Sequence, residues 1–164
     1  MPQLPAIPGL DGIHPELIHF PLTLFFLAPA LVLFATFTQT LTRRTFLISV
    51  LTVMLLGIAS THAALEAGRT AAATVTPTGA VRTVVERHQE LASLARGGLT
   101  AGTLLFGLTL LIGICFHLRM HELTGVFPLG SFVFHALGLF WLINAAYDGE
   151  RLVHEFGVGR SVGP

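Results

Sequence analysis

Four stretches of this chain are long, apolar and free of charged residues, and they constrain its fold more than any other feature. The first runs through residues 17–42, between Glu16 and Arg43. About 20 consecutive apolar residues suffice for a helix to cross the hydrocarbon core of a bilayer. The sequence therefore predicts an all-α, integral membrane four-helix up-and-down bundle, with spans at about 18–40, 45–66, 97–118 and 130–148.

The four spans are predicted to form a single domain over residues 1–164. The third helix is expected to extend back to about residue 84, beyond its apolar part. Residues 67–86 carry Thr, Gly, Pro77 and Arg82, so they are expected to form a polar loop and the longest connection. An even number of spans places both termini on one side of the membrane.

Composition supports a membrane protein and argues against several other classes. Hydrophobic residues make up 52% of the chain and charged residues 11%, whereas a soluble domain has about 25% charged residues. Net charge is zero and no basic run is present, so membrane lipid is an expected partner and nucleic acid is not. Nucleophile and metalloprotease spacings are absent too, which favours an electron-transfer or accessory subunit over an enzyme.

Histidine is the main ligand-capable residue, with eight copies against one cysteine. The up-and-down topology brings five of them to the side of the termini. These five are His14, His19, His62, His88 and His154. Imidazole is the natural axial ligand of haem iron and binds copper or zinc. We therefore predict a haem held by two histidines near one membrane face, with His19 and His88 as the preferred pair and His62 as substitute for either.

The same residues have simpler interpretations, which the sequence leaves open. An interfacial histidine is more often a solvated helix end, and His154 suits the end of a helix dipole. His135, inside the fourth span, is expected to hydrogen-bond a carbonyl of a neighbouring helix. Gly98 and Gly102 have the spacing that lets another helix, or a flat cofactor, approach the backbone closely.

The chain also resembles a known family. His14-Pro15, His19-Phe20-Pro21, His88 and the closing segment 149–159 are similar to motifs of the prokaryotic four-span membrane family called domain of unknown function 2231. The similarity covers about residues 13 to 160. Members of that family sit beside, or are joined to, Rieske and cytochrome redox proteins, which implies an electron-transfer setting. In this chain Asp148 replaces the first glycine of the usual Gly-Gly, and His62 stands where a small apolar residue is expected.

Three functions follow as hypotheses. The first is a small b-type cytochrome in a prokaryotic inner membrane, with termini on the outer, periplasmic face. It would exchange electrons with a quinone or a redox protein, and Arg87 or Arg151 would neutralise the haem propionates. The second is a cofactor-free structural subunit of a respiratory or photosynthetic complex. The third is a copper or zinc protein that uses His14, His88 and His154 with Glu66 or Glu150.

Overall fold

The fold consists of four α-helices and is all-helical where the structure describes it. A computed structural model describes residues 17–37, 40–73, 76–116 and 126–158. The helices are α1 (His19–Thr36), α2 (Thr40–Ala73), α3 (Gly79–Cys115) and α4 (Val126–His154). The predicted four-helix bundle is therefore confirmed. Three helices are long and apolar enough to cross a membrane, and α1 is a shorter apolar helix of 18 residues.

Helices α2 and α3 are longer than predicted, and the prediction of a polar loop over 67–86 was wrong. Helix α2 continues to Ala73 and α3 begins at Gly79, so only a short connection remains. Local interactions support both extensions, because Arg69 pairs with Glu66 at 3.4 Å and Arg82 with Glu86 at 2.8 Å. Such pairs three or four positions apart stabilise helices even where the residues are polar.

Helix α4 also runs past its predicted end at residue 148, through Gly149 to His154. It stops where Gly157 takes a φ of +68°, a left-handed conformation that glycine adopts without penalty. The amide of Val158 then donates a hydrogen bond to the carbonyl of Leu152 at 2.9 Å, which closes the helix end.

Glycines bring α3 and α4 into backbone contact. A Cβ on Gly98 would lie 3.1 Å from the Cα of Gly138, and one on Gly102 would lie 3.1 Å from the backbone nitrogen of His135. Ser131 of α4 adds a hydrogen bond to this contact between α3 and α4, by donating to the carbonyl of Gly102 at 2.8 Å. Another helix therefore occupies this face of α3. That is one of the two occupants expected from the glycine spacing.

Contacts between neighbouring helices define a common reference level. A Cβ on Gly57 would lie 2.9 Å from the ring of Phe25, so Gly57 and Phe25 are at the same level. The backbone of Gly102 likewise lies against His135. Phe25 and His135 are themselves in contact. We call this the His135 level. The upper end of the bundle is the end at which α1 and α3 begin and α2 and α4 end.

Four polar or aromatic residues mark the upper edge of the apolar region. They are His19, His62, Arg96 and Trp141, one on each helix. At 1.5 Å per residue, each lies about 8–9 Å above the His135 level. Arg44 lies about 27 Å below His62 on the same scale, close to the roughly 30 Å thickness of bilayer hydrocarbon. We therefore take these four residues as the upper hydrocarbon boundary.

Candidate functional site

His135 is buried in the centre of the bundle and bonds to a neighbouring helix, as the sequence predicts. Its Nε2 lies 2.9 Å from the carbonyl oxygen of Phe25 on α1. A carbonyl only accepts, so Nε2 carries the proton. That carbonyl needs an outside donor because the residue four positions later, Pro29, lies inside α1 and has no N–H. His135 thus replaces a missing helix hydrogen bond.

The opposite nitrogen of His135 is the unprotonated one in this tautomer. Nδ1 is buried and has no hydrogen-bond partner within the described residues. The ring also packs edge-on against the Phe25 side chain, with centroids 5.3 Å apart. These contacts hold the imidazole in one orientation, so His135 has a structural role that fully accounts for its position.

His88 is bonded in a way that suits a ligand. Its Nδ1 lies 2.7 Å from the carbonyl oxygen of Ala145 on α4, so Nδ1 donates the hydrogen bond. In the neutral ring the lone pair that can bind a metal is then on Nε2. Gly149 allows the ring to lie here, because a Cβ at that position would be 3.3 Å from Cε1 of His88. A backbone carbonyl that orients a histidine in this way is the usual support for a metal-ligating imidazole.

Arg87 and Asp148 form an ion pair beside His88, at 3.1 Å between Nε and Oδ2. The Asp148 side chain is 0% exposed, whereas that of Arg87 is 54% exposed. Neither carboxylate oxygen has an aligned hydrogen bond within the described residues, so the attraction is mainly between charges. A buried carboxylate is costly without a cation. Arg87 therefore has a structural partner already, besides its predicted role toward a propionate.

Arg151 is likewise engaged within its own helix, above the upper hydrocarbon boundary. Its guanidinium contacts the Glu155 carboxylate at 3.1 Å and lies 6.0 Å from the centre of the Phe156 ring. Arg151 would have to share this interaction with any propionate.

The other predicted ligands that lie within the described residues do not converge with His88. His19 and His62 lie at the upper hydrocarbon boundary with exposed side chains. From helix rise, His88 lies about 12 Å above that boundary, and His154 lies about 8 Å higher still. His154 is exposed in the last turn of α4, where a cation suits the helix dipole. His14 lies outside the described residues.

Among the described residues, no three His, Cys, Asp or Glu side chains are grouped so that they could hold a metal ion. Asp148 is notable in the sequence only as a departure from the family motif, and its burial was not predicted. Its signal was a carboxylate directly after the apolar run of the fourth span. Only the packing of α3 on α4 reveals that the carboxylate is covered and faces Arg87.

Comparison with known proteins adds no family to these observations. No protein-family model, no curated protein and no solved structure matches the chain.

Proposed function

We propose that this chain is a small b-type cytochrome-like subunit that holds haem b near one membrane face, with His88 as one axial ligand. The observation that carries the proposal is the hydrogen bond from Nδ1 of His88 to Ala145, which puts the lone pair of the neutral ring on Nε2. Arg87, next to His88, has a half-exposed guanidinium that can also contact a propionate.

His14 is the better candidate for the second ligand. The preferred pair of the sequence analysis, His19 and His88, differs in level by about 12 Å, which is too far for two ligands on one iron at similar depth. His62 has the same difficulty. His14 lies outside the described residues, so the difference in level that separates His19 and His62 from His88 does not apply to it.

The haem would supply one-electron chemistry, and the residues of this chain would bind and orient it. His88 is fixed in one tautomer by Ala145, and Gly149 leaves room for its ring. We place the protein in a prokaryotic inner membrane with its upper end outside, the orientation expected from the sequence. A quinone or a redox protein would exchange electrons with it.

The visible spectrum of the detergent-purified protein tests this proposal. We expect a Soret band that shifts on reduction and one haem per chain by pyridine haemochrome assay. His88→Leu should abolish the band, whereas His154→Leu, a matched change at an exposed histidine, should leave it intact. A colourless, iron-free protein from cells supplied with haem precursor contradicts the proposal.

A second candidate is a cofactor-free subunit of a respiratory or photosynthetic complex. The observation that favours it is the seam between α3 and α4, where Gly98 and Gly102 are covered by helix backbone and leave no slot for a flat cofactor. The exposed positions of His19 and His62 agree with it. Colourless protein that co-purifies with large redox proteins from its native membrane supports this candidate.

A further inference from the structure

The arginines above the upper hydrocarbon boundary share one property. Each described arginine there is paired with a carboxylate of the same chain, in the pairs Arg69–Glu66, Arg82–Glu86, Arg87–Asp148 and Arg151–Glu155. Arg96, at the boundary itself, has no such pair within the described residues, although its side chain is half-buried. A partly buried arginine without an acidic neighbour can bind an anion supplied from outside the chain.

The register between α2 and α3 places His62 and Arg96 at about the same level, as judged from helix geometry. Leu51 of α2 lies against Gly107 of α3, with 3.4 Å from Cδ1 to the position of a Cβ on the glycine. Eleven residues make about three full turns of an α-helix, so positions eleven apart share a face. His62 is eleven positions after Leu51 and Arg96 is eleven before Gly107. Because the helices are antiparallel, helix rise and periodicity put both residues at the same level, on the sides of α2 and α3 where Leu51 meets Gly107.

The chemistry of this level identifies the anion. The hydrocarbon of a bilayer ends where lipid phosphates begin, and arginine and aromatic side chains are placed there in membrane proteins. Below the pair, Leu55 and Leu104 are exposed apolar residues, 51% and 65% accessible, that can contact acyl chains. Guanidinium and imidazole N–H groups are good phosphate donors.

We propose that His62 and Arg96 bind the phosphate of an anionic phospholipid in the upper leaflet. Arg96 supplies the charge and N–H donors, and His62 donates from the facing helix. The lipid would cover the upper part of the α2–α3 seam, where the side chain of His62 is exposed. The proposal does not depend on haem binding, because it uses neither His88 nor His14.

Lipid binding by the delipidated protein tests this site. Native mass spectrometry with added phosphatidylglycerol should show one retained lipid, which Arg96→Gln weakens about tenfold and His62→Leu weakens less. Arg82→Gln, at an arginine paired with Glu86, should bind as the unchanged protein does. Arg96→Lys should keep part of the affinity, because it keeps the positive charge that the phosphate requires.

Three outcomes would overturn the proposal. The first is equal retention of phosphatidylglycerol by Arg96→Gln and the unchanged protein. The second is displacement of the lipid by glycerol phosphate at equal concentration, which would identify a site for free anions instead of a lipid. The third is equal affinity for phosphatidylcholine, which would contradict the requirement for net negative charge.

Discussion

The imidazole of His135 on α4 donates a hydrogen bond across the bundle to the carbonyl of Phe25 on α1, at 2.9 Å. Pro29 leaves that carbonyl without a donor in its own helix. The two helices are therefore linked by a hydrogen bond between an unpaired backbone carbonyl in one and a polar side chain in the other. In hydrocarbon, neighbouring helices commonly satisfy the backbone groups that a proline frees.

Removal of the His135 imidazole should show how much the hydrogen bond to the Phe25 carbonyl stabilises the fold. We expect His135→Leu to lower the free energy of unfolding by about 1–2 kcal/mol, because the Phe25 carbonyl is left buried and unbonded. Adding Pro29→Ala should recover at least half of the loss, since an alanine at that position would have an N–H for the carbonyl. Reversible unfolding in mixed detergent micelles measures both. No recovery in the double variant would contradict the link.

The glycine seam offers a second test. Gly138→Ala should destabilise the fold by about 1–3 kcal/mol, because the new Cβ would lie 2.6 Å from Leu99 Cγ and 2.8 Å from the Leu99 backbone nitrogen. Gly97→Ala is the matched control, since nothing lies within 4 Å of a Cβ there. Alanine favours helix over glycine by up to about 1 kcal/mol, so this control should be neutral or stabilising. Equal effects in thermal unfolding would argue against close packing at Gly138.

The buried carboxylate of Asp148 gives a third prediction. Arg87→Gln should cost about 1–3 kcal/mol, because it removes the cation that faces a fully buried charge. Asp148→Asn in the same chain should restore most of the stability, since no buried charge then remains. A double-mutant cycle by chemical unfolding measures the coupling. Additive losses would mean that the two side chains act independently.

The helical extension of α3 gives a fourth prediction. Thr83→Pro should destabilise the protein by about 3 kcal/mol, because proline interrupts the hydrogen bonding of a helix interior. Thr83→Ala should be neutral or slightly stabilising. If residues 79–86 formed a loop, both variants would leave the thermal midpoint unchanged.

The sequence predicted the features that depend on local pattern. Uncharged apolar runs indicated the four helices, Gly98 and Gly102 indicated a close helix contact, and His135 was expected to bond a neighbouring carbonyl. Each follows from the cost of polar groups or bulk inside a membrane. No sequence pattern identified which carbonyl His135 would reach, because that requires the register of α4 on α1.

The remaining features depend on register and on distance along the helices. The prediction of a loop over 67–86 was wrong because it rested on the Thr and Gly content of the segment. The pairs Arg69–Glu66 and Arg82–Glu86, which stabilise helix there, were not considered. The prediction that five histidines converge assumed that residues on the same side of the membrane lie at the same level. Helices that extend beyond the bilayer separate His88 from His19 by about 12 Å along the bundle, and composition alone does not reveal this offset.

Pro29 also bears on how the protein is made. Among the four helices α1 is synthesised first and α4 last. The Phe25 carbonyl of α1 therefore has no hydrogen-bond donor until His135 of α4 has been made. Until His135 is in place, α1 must keep that oxygen close to water, a lipid headgroup or the translocation machinery. Chains truncated before α4 should therefore hold α1 less firmly in the bilayer than the finished protein does.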